Sequence, residues 1–198
     1  MSLDRLAPLP QDIRGSAPWD LGSVAMLARA MAENRLMFVY LCVQPNTNEE
    51  WQFRKTVFNI IDNYSRRRMI VDAERDPDQA AYDEAQANLR AQLEAMPIFQ
   101  TQNEVRRRAL LRGDQLPYIQ DDLIGWLELE RGEFRAFYRY LSSFVHTGTI
   151  SFYRMAEHGR GNGEENDYDR GMISGILDFA AFILSATSHE MAELAGLR

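Results

Sequence analysis

The chain is dominated by long segments in which apolar residues recur every three or four positions, and it has no run that alternates apolar with polar residues. That period belongs to the helix, where i, i+3 and i+4 share one face. With no strand pattern to build a sheet, the fold class expected is all-α, a helical bundle of five or six main helices. The chain has 198 residues, and a chain of that size buries roughly 70% of the surface its unfolded form exposes. One domain over 1–198 is therefore expected. Pro8, Pro10 and Pro18 set an extended lead-in over 1–18, since proline resists helix. Residues 158–167, with three glycines and mixed charge, read as a flexible loop.

Local signals place the helices. The first is expected over 20–43 and is apolar around most of its circumference, which implies a central, buried position. Thr47 with Glu50 forms a capping-box pattern that opens a second helix running to about residue 73. Asp76-Pro77-Asp78 reads as the cap of a third, running to about residue 96 and peripheral because its apolar stripe is thin. Thr101 with Glu104 predicts another capped helix, ended by Gly113. A short helix is expected over 121–129, a strong one over 131–146, a short one after Gly148, and a last one over about 168–195.

Composition narrows the class of protein. The formal net charge is −7, which argues against a surface built to coat nucleic acid or an anionic membrane. The single cysteine, Cys42, excludes a disulfide framework and a multi-cysteine zinc site. It reads as a buried thiol at the end of the first helix. The start of the chain has no secretory pattern, and the apolar run 172–186, interrupted by Asp178, is shorter than the roughly 20 residues of a membrane span. A cytoplasmic location is the expectation.

One helix carries the most informative pattern. At 100° per residue, Arg139 lies near 40° from Arg135, Ser142 near −20° and His146 near 20°. These four form a narrow cationic stripe flanked by aromatics, suited to an anion such as phosphate or carboxylate. The first helix holds a related pair, Arg29 and Glu33, one turn apart among apolar residues. An unpaired buried charge is costly, and the simplest partnership sets Glu33 against Arg135 and Arg139. Two readings follow: a network that fixes helix register, or a site that holds a ligand.

The segment Arg139 to His146, RYLSSFVH, resembles the signature of the HEPN superfamily, in which an Arg and a His lie a few residues apart on one helix. It is also similar to a bacterial family of unassigned function that pairs an early Arg-x-x-x-Glu helix, here Arg29 to Glu33, with a late Leu-Ser-x-aromatic-x-His helix, here Leu141 to His146. The resemblance implies an all-α core and frequent homodimers. Many relatives are binding or interaction modules, and on that reading Arg29, Glu33 and Arg135 hold a ligand or the fold. Others are metal-independent ribonucleases, which would assign Arg139 to phosphate and His146 to proton transfer at a ribose 2′-hydroxyl, with Ser142 beside them. An imidazole can in general act as a base near neutral pH. Active members usually follow the Arg with a small polar residue, where this chain has Tyr140. RNA or another phosphate-bearing ligand is thus the expected partner, beside a second copy of the chain.

Other motifs are weaker. The triplets Arg66-Arg67-Arg68 and Arg106-Arg107-Arg108 point in three directions on a helix and read as solvated surface. Ser142 and His146 lack the glycine elbow of a serine hydrolase. No Glu-x-x-His repeat, P-loop or dinucleotide fingerprint appears, so no metal and no cofactor are expected. Gly171, Ser174, Gly175, Asp178 and Ala181 form a small-residue face on the last helix, which reads as close helix packing, across a dimer or within the fold. Asp178 is a second candidate to pair with an arginine.

Overall fold

Most of the helices begin where a side-chain oxygen stands ready to accept from their first amides. The computed structural model describes residues 20–73, 79–113, 124, 130–146, 148–154, 157, 160 and 164–196, and among these every regular element is helical. The all-α expectation is correct. Helix α1 (Leu21–Phe38) opens at Asp20, whose Oδ1 accepts from the Ser23 amide at 3.1 Å. It runs into a π-helical turn (Val39–Val43), closed by the Gln44 amide on the Val39 carbonyl at 2.9 Å. Helix α2 (Asn48–Asp72) has the expected cap: Thr47 Oγ1 accepts from the Glu50 amide at 3.1 Å, and the Glu50 carboxylate reaches back to the Asn46 amide at 3.2 Å.

Helix α3 (Gln79–Glu94) and the single turn α4 (Pro97–Gln100) follow, then α5 (Glu104–Arg112). The cap of α5 is Asn103, whose Oδ1 accepts from the Arg106 amide at 2.8 Å, and not Thr101. The Thr101 hydroxyl is taken up by the preceding turn, where it donates to the Ile98 carbonyl at 2.8 Å. Helix α6 (Arg131–Val145), the short α7 (Thr149–Tyr153) and the long α8 (Asp167–Leu194) complete the order. The proposed cap at 76–78 and most of the helix expected over 121–129 lie outside the described residues, as do 1–19 and much of 158–167.

The chain divides into two compact units, residues 1–35 with 130–198 and residues 36–129. In the second unit α2 packs against α3, α4 and α5 around Val57, Ile60, Leu93, Phe99 and Leu110. Helix α3 is therefore part of a core and not peripheral: Leu93 is fully buried, and Leu89, one turn earlier, packs against the same cluster. Gly113 ends α5 with φ of 73°, and a Cβ there would stand 2.7 Å from Ile60 Cγ2. Only glycine meets both conditions.

In the first unit α1, α6 and α8 enclose Leu21, Ala25, Ala28, Leu141 and Ile176, with Phe137, Tyr140, Phe144 and Phe179 around them. Ala25, Ala28 and Ala32 give α1 a flat, buried face. Its opposite edge is not covered: Leu27 is 67% exposed. The expected all-round burial of this helix is thus confined to one face. Cys42 is exposed, not buried. It follows the buried Tyr40 by two positions, which puts it on the far side of the turn. Arg35, itself buried, makes a two-pronged ion pair with Glu190 and so ties α1 to the end of α8. Among the described residues α8 is the one helix long and apolar enough to cross a bilayer, longer than the run 172–186 suggested.

Candidate functional site

Helix α6 is ordered by its own sequence. Glu130 caps it, accepting from the Glu133 amide at 2.6 Å. Phe134 and Leu141 take the buried face, and Phe137 packs edge-on to Phe179 with ring centres 5.0 Å apart. This places Tyr138 and Ser142, one turn apart, beside Arg29 of α1.

Arg29 organises the site. Its Nε donates to Ser142 Oγ at 2.9 Å and its Nη2 to the Tyr138 hydroxyl at 3.0 Å. The same guanidinium pairs with Glu33 at 3.0 Å and lies 5.0 Å from the centre of the Tyr138 ring. Tyr138 in turn donates to Glu33 at 2.7 Å, and Ser142 donates to the Tyr138 carbonyl at 2.7 Å. Each polar group in this set meets a group of opposite hydrogen-bonding character, as half-buried polar networks require. Burial pushes the Tyr138 hydroxyl up to about 12, and its bond to Glu33 adds to the shift.

Glu33 is therefore held by Arg29 and Tyr138, not by the Arg135/Arg139 stripe. The reason lies in α6, whose buried aromatics aim Arg139 and His146 outward: both are exposed, and their side chains make no hydrogen bond or ion pair among the described residues. Arg135 is half-buried and does have partners. The four stripe residues do share one face of α6, but that face divides into an engaged part at Ser142 and a free part at Arg139 and His146. His146 ends the helix, its amide bonded to the Ser142 carbonyl at 3.1 Å.

Tyr138 is the member that sequence reasoning missed. It is one of the aromatics that flank the stripe, and a tyrosine one turn before a serine on a cationic helix offers a polar tip that a buried ring must satisfy. A second pair was missed as well. Arg160 donates to Asp169 at 2.7 Å, with side chains only 9% and 7% exposed, and its guanidinium lies 4.3 Å from the Tyr168 ring centre. Asn166 caps α8 through the Asp169 amide and donates to the same carboxylate at 2.8 Å. Arg160 thus anchors part of the stretch read as a flexible loop. Asp178, expected to meet an arginine, is instead exposed and makes no ion pair among the described residues.

Half of the arginines in the two triplets are paired with an acid: Arg66 with Asp62, Arg67 with Asp83 and Arg108 with Glu104. Among the described residues no three His, Cys, Asp or Glu side chains gather as metal ligands would. A shallow hollow at the start of α5, lined by Asn103, Val105 and Arg106, contains none of the expected site residues. No family model matches the chain, and no curated protein or solved structure does.

Proposed function

We propose that the outer face of α6 is a binding surface for a phosphate-bearing ligand, carried on an HEPN-like helical module. The observation that supports it is the division of labour at Ser142. This hydroxyl both donates and accepts within the fold, while Arg139 and His146, one turn to either side, reach solvent without a partner among the described residues. They are two turns apart, roughly 10 Å along the axis, which matches a ligand longer than one phosphate. A guanidinium and an imidazolium both donate to phosphate oxygens. The Arg29–Glu33–Tyr138–Ser142 set then holds α6 against α1 so that the outer face keeps its shape. The overall charge of −7 does not oppose this, because contacts to a short phosphate-bearing segment need only local positive charge.

Ribonuclease chemistry is the second reading, favoured by the shared exposure of Arg139 and His146. Against it, His146 has no described carboxylate or carbonyl to orient the imidazole, and a general base is usually held by a third group. The experiment uses a short single-stranded RNA with chelator present. Binding that falls at least tenfold in Arg139→Glu, with no cleavage by the wild type, supports the binding module. Cleavage that disappears in His146→Ala replaces it with the enzyme. Binding unaffected by Arg139→Glu removes both.

A further inference from the structure

Helix α8 presents to solvent a face that a solvated helix would not ordinarily carry. One line of its outward residues follows alternating steps of four and three: Gly171, Gly175, Asp178, Phe182, Ser185, His189, Ala192 and, just past the helix end, Gly196. That alternation keeps side chains in line with a second helix lying along the whole length. All are exposed except Ala192, which is half-buried. Phe182 is 52% exposed, and Leu177 and Leu184 on one flank are 55% and 57% exposed. Asp178 is the only formally charged side chain from Gly171 to Ser188. Helix faces that stay in water carry charged residues throughout, and extended apolar ones mark interaction surfaces.

The glycines sharpen the point. Among the described residues, a Cβ at Gly171 or at Gly175 would meet nothing within 4 Å. Packing among the described residues therefore does not call for glycine at either position, yet each costs roughly 0.5–1 kcal/mol against alanine inside a helix. Close approach by another backbone would account for both.

The order of residues identifies the occupant. Reversing the helix about the point between Ile183 and Leu184 carries Gly171 onto Gly196, Gly175 onto Ala192, Asp178 onto His189 and Phe182 onto Ser185. The large ring meets a small residue, and the acid meets the imidazole, once on each side of the axis. A surface complementary to itself under a two-fold rotation fits an isologous pair. A lipid surface would instead receive the Asp178 carboxylate at the centre of the face, where charge is expensive. We propose that α8 pairs antiparallel with α8 of a second copy of this chain along this seam. Glu193, 3.3 Å from His189 within one chain, would add a second carboxylate beside the imidazole.

Sedimentation of the full chain in a Cys42→Ser background, which excludes disulfide-linked pairs, tests the proposal. The expected result is a dimer at micromolar concentration. Asp178→Lys should weaken it at least tenfold, and adding His189→Glu should restore it. Gly175→Leu should weaken the dimer while the far-ultraviolet circular dichroism of the monomer stays unchanged, since the added side chain has open space within the chain. A wild-type chain that is monomeric overturns the pairing, whether or not it floats with phosphatidylcholine–phosphatidylserine vesicles. So does a dimer indifferent to both Asp178→Lys and Gly175→Leu.

Discussion

The Tyr138 hydroxyl donates to Glu33 at 2.7 Å, across a separation of 105 residues in the chain. It also accepts from Arg29, so one phenol joins both members of an ion pair whose spacing alone pointed Glu33 toward Arg135 and Arg139. Tyr138→Phe should lower stability by about 1 kcal/mol, the usual net value of such a hydrogen bond. Arg29→Met should lower it by about 2–3 kcal/mol, because Tyr138, Ser142 and Glu33 all lose a partner. Urea unfolding of the two variants measures the difference, and equal midpoints for Arg29→Met and wild type would contradict the network.

The same phenol makes stability sensitive to alkali. The Tyr138, Tyr40 and Tyr140 hydroxyls are each pushed up to about 12 by burial. Between pH 10 and 12 the unfolded chain releases these protons while the folded chain keeps them, so the folded state loses stability as pH rises. Below pH 10 both states are protonated and the contribution is constant. Tyr138→Phe should show a shallower decline over that window, as followed by thermal unfolding at stepped pH.

Acid acts at the start of α1. Hydrogen bonds from Ser23 hold the Asp20 carboxyl below its ordinary value of 3.8. A lowered carboxyl stabilises the fold above that value, and the contribution fades as pH falls through the folded pKa. The stability gap between wild type and Asp20→Asn should therefore be present at pH 7 and shrink below pH 4. A gap that widened in acid would reverse the assignment.

The buried pair Arg160–Asp169 should show the asymmetry of desolvated charges. Arg160→Ala leaves the Asp169 carboxylate, only 7% exposed, with the neutral Asn166 as its remaining side-chain hydrogen-bond donor among the described residues. A loss of about 3–5 kcal/mol follows from stranding such a charge. Arg160→Met with Asp169→Leu should recover most of it, because neither charge then remains to be compensated. Calorimetry of the single and double variants decides the point.

Gly113→Ala tests the close approach in the second unit. The left-handed φ of 73° costs roughly 1–2 kcal/mol for a residue with a Cβ, and the contact with Ile60 Cγ2 at 2.7 Å adds strain. A total loss of about 2–3 kcal/mol is expected by urea titration. A second change, Ile60→Val, removes a buried methyl of its own and should not restore the strained φ.

Much of the architecture was legible because helix boundaries are local events. Thr47 with Glu50 and Gly113 each act over a few residues, and each does in the structure what its pattern predicts. The failures have the same cause in reverse. Thr101 satisfied its own capping pattern but had a better local acceptor in Ile98. Asp178 sits among apolar residues in sequence, yet the face it occupies turns outward. The site was half visible: spacing put Arg29 with Glu33 and put Ser142 on the stripe, while Tyr138 signalled only that its hydroxyl needs a partner and not that Glu33 and Arg29 would supply it.

The sequence by itself determined the helices, their approximate ends and which residues share a face on each, since periodicity and capping depend only on neighbours along the chain. Tertiary structure decided which of those faces met. It gave Glu33 to Tyr138 rather than to Arg139, left Cys42 and Leu27 in solvent, and brought Arg160 onto Asp169. The physical reason is that a helix pattern fixes angles about one axis only. Which polar groups become partners depends on how several axes pack, and that is settled by side-chain volume, such as the three alanines that let α1 present a flat face.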